Sequence, residues 1–538
     1  FCFGGPMFSK ILTGRVRRVG IAALFAASCM VTTASAQVTA FKQAIAEAAS
    51  KDRDIAAFYQ ANGYQALWTT ANAARRNALL TAISDADLHG LPVARYDAAG
   101  LRAKLAAATS AQERGRVEVE MSRVFLDLAQ SMQTGVLTPR KVDNQIVRVV
   151  PLRDRASYLT SFEKSSPAGF FRSLPPKTGE YARLLKSKQV LERQRAAGGW
   201  GAPVPAASLK PGAQGAAVVA LRNRLMAMGY LDRSNGQSYD ATMQKAVQLF
   251  QIHSGLEPDG VAGEGTMKEL NRSIDERLRA VVVAMERERW FNMERGERHI
   301  LVNITDFTAK IVDHDQVTFE TRSVVGANKE GQQTPEFSDV MEFMVINPTW
   351  NVPRSITVKE YLPMLQRNPN AVGHLRITDA RGNVVNRSAI NFASYNERNF
   401  PFDMKQPPSD GNALGLVKFM FPNQYNIYLH DTPAKNLFSH EVRAYSHGCI
   451  RLGQPFDFAY ALLAKQTKDP VGFFKARLAT KLENSVMLEK PVPVHLIYRT
   501  AFTDAKGGLH FRRDIYGRDA KIWQALENAG VALGGERG

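Results

Sequence analysis

One cysteine and one histidine in the last quarter of the chain have the residue types of a catalytic pair. Cys449 follows a His-Gly pair in AYSHGCIRLG, and His430 lies 19 positions earlier in IYLHDTPAKN. A nucleophilic thiol requires an imidazole that accepts its proton and then, as a nearby cation, lowers the thiol pKa below its free value of about 8.5. The pair therefore indicates a cysteine nucleophile with a histidine base. The alternative is a structural role, because cysteine is also a common small residue of protein cores.

Strand periodicity around His430 predicts how the two side chains could meet. In NIYLHD, Ile427 and Leu429 share one face of a strand, whereas Tyr428 and His430 share the other. The segment that follows begins with turn residues and can fold back toward Cys449. A contact is therefore feasible, while a histidine on a strand is also common as a buried core residue.

A basic and then apolar N-terminal segment predicts export. Basic residues precede the apolar run VGIAALFAASCMV, which leads into the small-residue motif Ala34-Ser35-Ala36. This order is typical of a secretory signal peptide, so residues 1–36 are predicted to be removed, with translation starting at Met7. No later segment approaches about 18 consecutive apolar residues. We therefore expect a periplasmic protein without a transmembrane anchor.

The exported chain would carry Cys449 as its lone cysteine, since Cys2 and Cys29 fall in the removed segment. No intramolecular disulfide is then possible, and an unpaired thiol in an oxidising compartment indicates reactivity. A single cysteine with scattered histidines lacks the CxxC or HExxH spacing of a zinc site. We therefore expect no metal ion and no cofactor.

The chain is strongly basic, with a formal net charge of +18 and a pI near 9.7. Such a balance favours polyanionic partners. The basic residues are scattered and form no basic-aromatic ribbon of the kind that reads nucleic acid. Anionic wall polymers or phospholipid headgroups are therefore the expected partners, and nucleic acid is not. With 538 residues, 45% of them apolar, the chain can form several domains.

Hydrophobic periodicity predicts a multidomain α+β fold. Apolar residues recur at helical intervals over residues 37–195, which indicates a helical scaffold domain. An Ala-, Gly- and Pro-rich linker follows over 196–207. A connecting helix over 273–297 leads to period-two runs over 298–530, which indicate a mainly-β domain. Within it, residues 355–411 are too long for an ordinary loop and predict an inserted capping subdomain.

Residues 208–272 predict a compact module of three helices. Apolar residues at helical spacing form two faces: Leu221, Leu225 and Met228, and Met243, Val247 and Phe250. Thr266 is predicted to cap a third, short helix. The signatures GYL, AVQLFQ and PDGVAGEGT resemble the peptidoglycan-binding three-helix module.

The segment SHGCIR after YLHD resembles the L,D-transpeptidase signature, a histidine followed at a set interval by Ser/Thr-His-Gly-Cys. The resemblance extends from VNITDF through NPTWNVP to FRRDIYGRD. With the helical N-terminal part, it indicates the large proteobacterial type, in which a scaffold, a peptidoglycan-binding module and a capping insertion accompany the catalytic domain. It implies peptidoglycan stem peptides, the sacculus and other cell-wall enzymes as partners.

The resemblance implies a thioester mechanism centred on Cys449. The thiolate would attack the stem-peptide bond before the terminal D-Ala and pass the acyl group to an amine, which forms a 3-3 cross-link. His430 would be the base, oriented by the backbone carbonyl or the carboxylate of Asp431, and His447 would shape the pocket; the alternative is that His447 is the base. Backbone N–H groups around His447, Gly448 and Cys449 would hold the oxyanion.

Five further residues are predicted to bind substrate: Arg451, Ser446, Tyr445, Trp350 and Asn351. Arg451 stands where many family members carry Asn, and would either grip a substrate carboxylate or pair within the fold. The aromatic residues have an ordinary core role as the alternative. Two other functions stay open: a wall hydrolase, in which water resolves the same thioester, and a non-catalytic wall-binding protein.

Overall fold

The computed structural model describes residues 39–534. The predicted signal segment, residues 1–36, lies outside them. The described chain divides into two compact units. No helix among residues 39–534 is long and apolar enough to cross a membrane.

The first unit comprises residues 39–84, 96–129 and 153–172 and is helical. It contains all or most of the helices 39–49, Arg53–Ala61, Ala74–Ser84, Ala98–Ala107, Ala111–Thr134, Arg155–Lys164 and Pro167–Ser173. Aromatic rings fill its core, with Phe125 4.7 Å and Trp68 5.2 Å from Phe162. The buried carboxylate of Glu118 accepts hydrogen bonds from the Trp68 N–H and the Tyr59 hydroxyl. Ring burial and this internal carboxylate explain why the helical periodicity of the segment yields a packed unit.

The second unit comprises residues 85–95, 130–152 and 173–534. Its α-helices span Pro139–Val142, Gly179–Ala196, Ala216–Ala227, Ala241–His253, Glu264–Leu270, Ile274–Trp290, Arg354–Ile356, Leu362–Arg367, Pro455–Leu463, Pro470–Ala479 and Arg518–Asn528. Short 3-10 turns span Ala86–His89, Val93–Arg95, Arg387–Ala389, Phe392–Ser394 and Lys435–Ser439, and a π turn spans Thr357–Tyr361.

Nine strands form the main sheet, in the spatial order Ala444–Ser446, Gln316–Gly326, Ile450–Leu452, Leu429–His430, Val417–Met420, Phe337–Ile346, Asn484–Ile497, Arg298–Asn303 and Thr308–Asp313. A further pairing of Thr308–Asp313 with Gln316–Gly326 closes the sheet on itself. One face of these strands supplies a contiguous apolar core. The helical N-terminal part and this mainly-β C-terminal part confirm the predicted fold class.

The predicted module contains three helices, as expected: Ala216–Ala227, Ala241–His253 and Glu264–Leu270. The predicted apolar faces pack together in one core. The capping prediction for Thr266 is wrong, because the third helix begins at Glu264 after Gly263. Thr266 is buried instead, and its hydroxyl accepts a hydrogen bond from the Gln251 side chain (3.1 Å).

The connecting helix Ile274–Trp290 begins at a capping box of Ser273 and Glu276. Its later turns are buried and carry charged residues that pair internally. Arg287 contacts Glu336 (2.6 Å), at the start of a central strand, and Asp519 (2.7 Å). These buried pairs fix the helix against the β domain, because breaking one would leave an uncompensated charge.

The insertion after the strand Trp350–Asn351 forms its own subdomain. Strands Trp350–Asn351, Asp403–Gln406 and Arg376–Thr378 make a separate three-stranded sheet. Its apolar residues form a core distinct from that of the main sheet. The hairpin of Ala501–Thr503 and Leu509–Phe511 is the remaining sheet.

Candidate active site around Cys449

Cys449 and His430 lie on one face of two adjacent parallel strands. The strand that follows Cys449 pairs with the strand that ends at His430, with Arg451 directly opposite His430. Ile450 and Leu429, opposite each other in the same register, are buried in the core, so the alternate residues face the other side. Cys449 is therefore the diagonal neighbour of His430, about 8 Å away between Cα atoms at ordinary strand spacings.

Two hydroxyl groups hold the loop that carries the thiol. Ser446 Oγ donates to the Cys449 carbonyl (2.5 Å) and accepts from the Gly448 N–H (3.1 Å). Thr334 Oγ1 donates to the Gly448 carbonyl (2.7 Å). Gly448 has a φ of +112°, which L side chains rarely adopt, and a Cβ there would lie 3.0 Å from Ile427. Ser446, predicted to bind substrate, is instead 2% exposed and shapes the loop.

The predicted oxyanion donors need one correction. The Gly448 N–H donates to Ser446 and cannot also face a substrate oxygen. The backbone N–H groups of His447 and Cys449 have no hydrogen-bond partner among residues 39–534. Two of the three predicted donors are therefore available.

Asp431 orients His430 through its backbone carbonyl and not through its carboxylate. The carbonyl oxygen lies 2.5 Å from His430 Nδ1, which fits an Nδ1–H donor. The carboxylate is engaged by the Lys435 ammonium (2.5 Å) and the Leu416 N–H (2.9 Å). With Nδ1 as donor, Nε2 remains an acceptor, as a general base requires.

His430 is neutral in this environment. Burial first, and then the positive charge of Arg451, lower its imidazole pKa to about 3, against the carbonyls of Asp431 and Leu414, which favour the protonated ring. Lys418 lies opposite His430 on the neighbouring strand and lowers the pKa further.

The Cys449 thiol is neutral as well. Burial raises its pKa to about 11, against Tyr428, which donates to the sulfur, and against the charge of Arg451. Sγ lies 3.5 Å from the Asn426 carbonyl. The expected lowering of the thiol pKa is therefore wrong for the free protein. His430 is buried and Cys449 is partly buried, and a neutral pair is less costly to hold there than an ion pair.

Two cations flank His430 in the sheet. Arg451 and Lys418 occupy the positions opposite it on the strands to either side. The Nε of Arg451 is buried without a hydrogen-bond partner, and no carboxylate of residues 39–534 pairs with its guanidinium. Of the two predicted roles of Arg451, pairing with a carboxylate within the fold is therefore not observed among residues 39–534.

His447 contacts the capping subdomain. Its Nε2 contacts the Glu360 carboxylate at 2.7 Å. Both side chains are partly exposed. The turn at Gly448 thus separates His447 from Cys449, although two positions apart on a regular strand would have placed them on one face.

The predicted cleft residues have different environments. Trp350 is 8% exposed and belongs to the core of the capping subdomain, where the Tyr428 ring also packs. Asn351 is exposed and pairs with Lys405 in the small sheet. Tyr445 is 43% exposed, with its hydroxyl 3.2 Å from His440 Nδ1.

Sequence reasoning did not select Lys418, Tyr428, Thr334 or Glu360 as site residues. The Tyr428 hydroxyl interacts with both Cys449 and Trp350, so it joins the thiol to the capping subdomain. Strand alternation in LVKFMF and NIYLHD could have identified the first two. No local pattern marks the other two, which reach the site from distant segments.

Comparisons with known proteins match three segments of the chain. Residues 297–471 match the family described as L,D-transpeptidase catalytic domain. Residues 53–187 match a scaffold domain, and residues 214–270 match a family described as "Putative peptidoglycan binding domain". These three matches fall in the β domain, the helical segment and the three-helix module, and the first ends before the strand Asn484–Ile497.

One curated protein is similar to part of the chain. A curated protein of Haemophilus influenzae named "Putative L,D-transpeptidase" is 33% identical over 229 residues, 41% of this chain and 45% of that protein. The chain thus spans about half the length of this curated relative.

Two solved structures are similar to the chain. The L,D-transpeptidases of Xylanimonas cellulosilytica and Stackebrandtia nassauensis are each 14% identical and cover 55% of this chain, with 100% and 96% of their own chains covered. Their TM-scores are 0.17 and 0.21, too low to bear on the site. Three matched segments, with the histidine and the Ser-His-Gly-Cys motif in the third along the chain, therefore show what the chain contains: a scaffold domain, then a peptidoglycan-binding domain, then an L,D-transpeptidase catalytic domain.

Proposed function

We propose that this protein is a cell-wall L,D-transpeptidase that forms 3-3 peptidoglycan cross-links through Cys449. The sulfur attacks the carbonyl carbon of the stem-peptide bond before the terminal D-Ala, and the thiol proton passes through His430 to the leaving nitrogen. The C–N bond breaks, D-Ala departs as the free amine, and a thioester remains. An acceptor amine then attacks the thioester, and its proton returns through His430 to the thiolate.

The observation that carries the proposal is the shared strand face of Cys449, His430 and Arg451, within the segment that matches the catalytic family. The Asp431 carbonyl leaves Nε2 of His430 as the acceptor. The backbone N–H groups of His447 and Cys449 are available for the oxyanion, a role that typically contributes about 10²–10³ in rate for each donor.

The two cations beside His430 suggest how a donor peptide activates the site. A buried Nε without a hydrogen-bond partner is costly, and a substrate carboxylate on the Arg451 guanidinium would relieve that cost. The same carboxylate would cancel a charge that lowers the pKa of His430. Donor binding therefore strengthens the base, with Lys418 as a second contact for anionic groups.

The other domains serve delivery in this proposal. The predicted signal peptide directs export and is cleaved after Ala36, and the peptidoglycan-binding module over residues 208–272 retains the enzyme on the sacculus. Tethering raises the local concentration of stem peptides near the catalytic domain. The stem peptides and the sacculus are the proposed partners, together with other cell-wall enzymes.

The direct test incubates purified protein with a tetrapeptide donor and an acceptor muropeptide, followed by mass spectrometry. Cross-linked dimers and free D-Ala are expected with the wild-type chain, and neither with Cys449→Ala. Hydrolysed donor without dimers would favour the hydrolase instead, and activity in Cys449→Ala would refute the nucleophile. A carbapenem should add one drug equivalent to Cys449.

The base is tested by comparing two histidine variants in the acylation step alone. His430→Ala should slow formation of the Cys449 adduct by about 10²-fold or more, the scale of a lost general base. His447→Ala should keep a measurable rate, and Glu360→Gln, which removes the same contact from the other side, should behave like it. A wild-type rate in His430→Ala would overturn the assignment.

A further inference from the structure

Two histidines and a carboxylate from distant segments meet outside the candidate active site. His253 ends the second helix of the peptidoglycan-binding module, and Asp504 and His510 belong to the hairpin formed by strands Ala501–Thr503 and Leu509–Phe511. The hairpin packs against that helix within the second unit. One ligand-type atom from each of the three side chains lies within 4.8 Å of the others.

Neighbouring side chains hold both imidazole rings of this cluster. His510 stacks on Phe502, with centroids 5.3 Å apart and an interplanar angle of 8°. Its Nε2 lies 3.1 Å from Asp504 Oδ2. His253 lies against His510 at 4.6 Å, and its Nδ1 contacts the Tyr230 hydroxyl at 3.3 Å. Nε2 of His253 is therefore free to face the cluster, with Tyr230 orienting the ring from behind.

The separations suit a small divalent ion. Zinc binds imidazole nitrogen at about 2.0–2.1 Å in a tetrahedral arrangement, which places neighbouring ligand atoms about 3.3 Å apart. The His510–Asp504 separation of 3.1 Å is close to that value, and an ion would draw the His253 nitrogen in from its present separation of at most 4.8 Å. The nearby Arg512 pairs with Asp306, so its charge is compensated.

We propose that His253, Asp504 and His510 form a binding site for a divalent transition metal of the zinc class, which links the peptidoglycan-binding module to the C-terminal hairpin. Two imidazoles and one carboxylate leave a coordination position open. His253 also lines a cavity of about 480 Å³ between the module and the hairpin, which would supply water for that position. The ion thereby fixes the orientation of the module relative to the hairpin.

The test uses the full chain with its three cysteines changed to serine, so that no thiol, including that of Cys449, can bind the probe. After chelator treatment, the protein is titrated with Co²⁺ alone and with Zn²⁺ alone. We expect one tightly held equivalent, a visible Co²⁺ absorption typical of tetrahedral coordination, and its displacement by Zn²⁺. The proposal is overturned if the protein with His253, Asp504 and His510 intact binds no equivalent of metal ion, or if its Co²⁺ spectrum is octahedral. Neither result needs a further variant.

Variants in the same background locate the ion. His253→Gln and His510→Gln should each abolish the absorption, and Tyr230→Phe should weaken affinity by about tenfold, as for loss of an orienting partner. The control His374→Gln changes an exposed histidine of the capping subdomain and should bind like the parent. Undiminished absorption in both ligand variants, or equal loss in the control, would place the ion elsewhere and refute the assignment.

Discussion

The resting Cys449 thiol should be far less reactive than an ordinary thiol. Its pKa of about 11, raised chiefly by burial, means that only about 10⁻⁴ of it is ionised at pH 7, compared with about 3% for a free cysteine of pKa near 8.5. The deficit in thiolate is about 300-fold. A more basic thiolate is a better nucleophile, by about tenfold over this interval. The net expectation is alkylation about 30-fold slower than that of glutathione.

The assay follows iodoacetamide modification of the Cys449 peptide by mass spectrometry from pH 6 to pH 11. The rate should rise about tenfold per pH unit up to about pH 10. Arg451→Gln should slow modification further at each pH, because the guanidinium favours the thiolate. The exposed Arg102→Gln, in the first unit, serves as the control and should leave the rate unchanged.

A different profile would refute the reasoning. A rate that is already constant between pH 6 and pH 8, within tenfold of glutathione, would mean that a thiolate–imidazolium pair exists before substrate binds. The neutral resting pair, and with it activation by the donor carboxylate, would then be wrong. A slow resting thiol that nevertheless acylates rapidly with a donor peptide would support both.

Three further predictions concern the loop, the module and the response to acid. Gly448→Ala should cost roughly 1–3 kcal/mol in the loop because of the positive φ of this residue and the contact of the new Cβ with Ile427. The acylation rate should fall clearly, whereas the melting temperature should change little. An unchanged rate would show that the loop relaxes freely. Deleting residues 208–272 should weaken retention on sacculi more than turnover of small soluble donors, and equal losses would mean that the module supports the catalytic fold. Burial lowers the pKa of His495 to about 3, so below about pH 6.5 the unfolded chain binds a proton that the folded chain does not bind. The free energy of unfolding should therefore fall as the pH decreases from about 6.5 to 3. His495→Gln should reduce that slope by about 1.4 kcal/mol per pH unit. Equal slopes of unfolding free energy against pH for His495→Gln and the wild type would contradict this prediction.

The sequence alone was sufficient to predict the L,D-transpeptidase catalytic domain and the fold class, and it selected Cys449 and His430 as the residue pair to test. Helical and strand periods are local properties, so the helical segment, the three-helix module and the mainly-β domain could be predicted from them. The alternation in NIYLHD also indicated the face on which His430 lies. The signal segment and the domain boundaries stay predictions, since the first lies outside residues 39–534.

Tertiary structure alone decided how the groups interact. The strand register places Arg451 and Lys418 beside His430 and leaves the Nε of Arg451 without a hydrogen-bond partner. The fold of the loop directs the Gly448 N–H to Ser446, and the carbonyl of Asp431, not its carboxylate, to the imidazole. Desolvation by the whole domain reverses the expected direction of the thiol pKa. These outcomes depend on long-range pairing and burial, which no short sequence pattern encodes.

The cluster of His253, Asp504 and His510 is the clearest case of an arrangement that the tertiary structure decides and the sequence does not. The sequence contains no CxxC or HExxH motif, so it predicted no metal ion. His253 and His510 are 257 positions apart, and only the packing of the hairpin on the module brings their rings to 4.6 Å. Short sequence motifs identify metal ligands that lie on one helix or loop. Ligands from separate domains come together only through tertiary contacts, and no short motif in the sequence predicts those contacts.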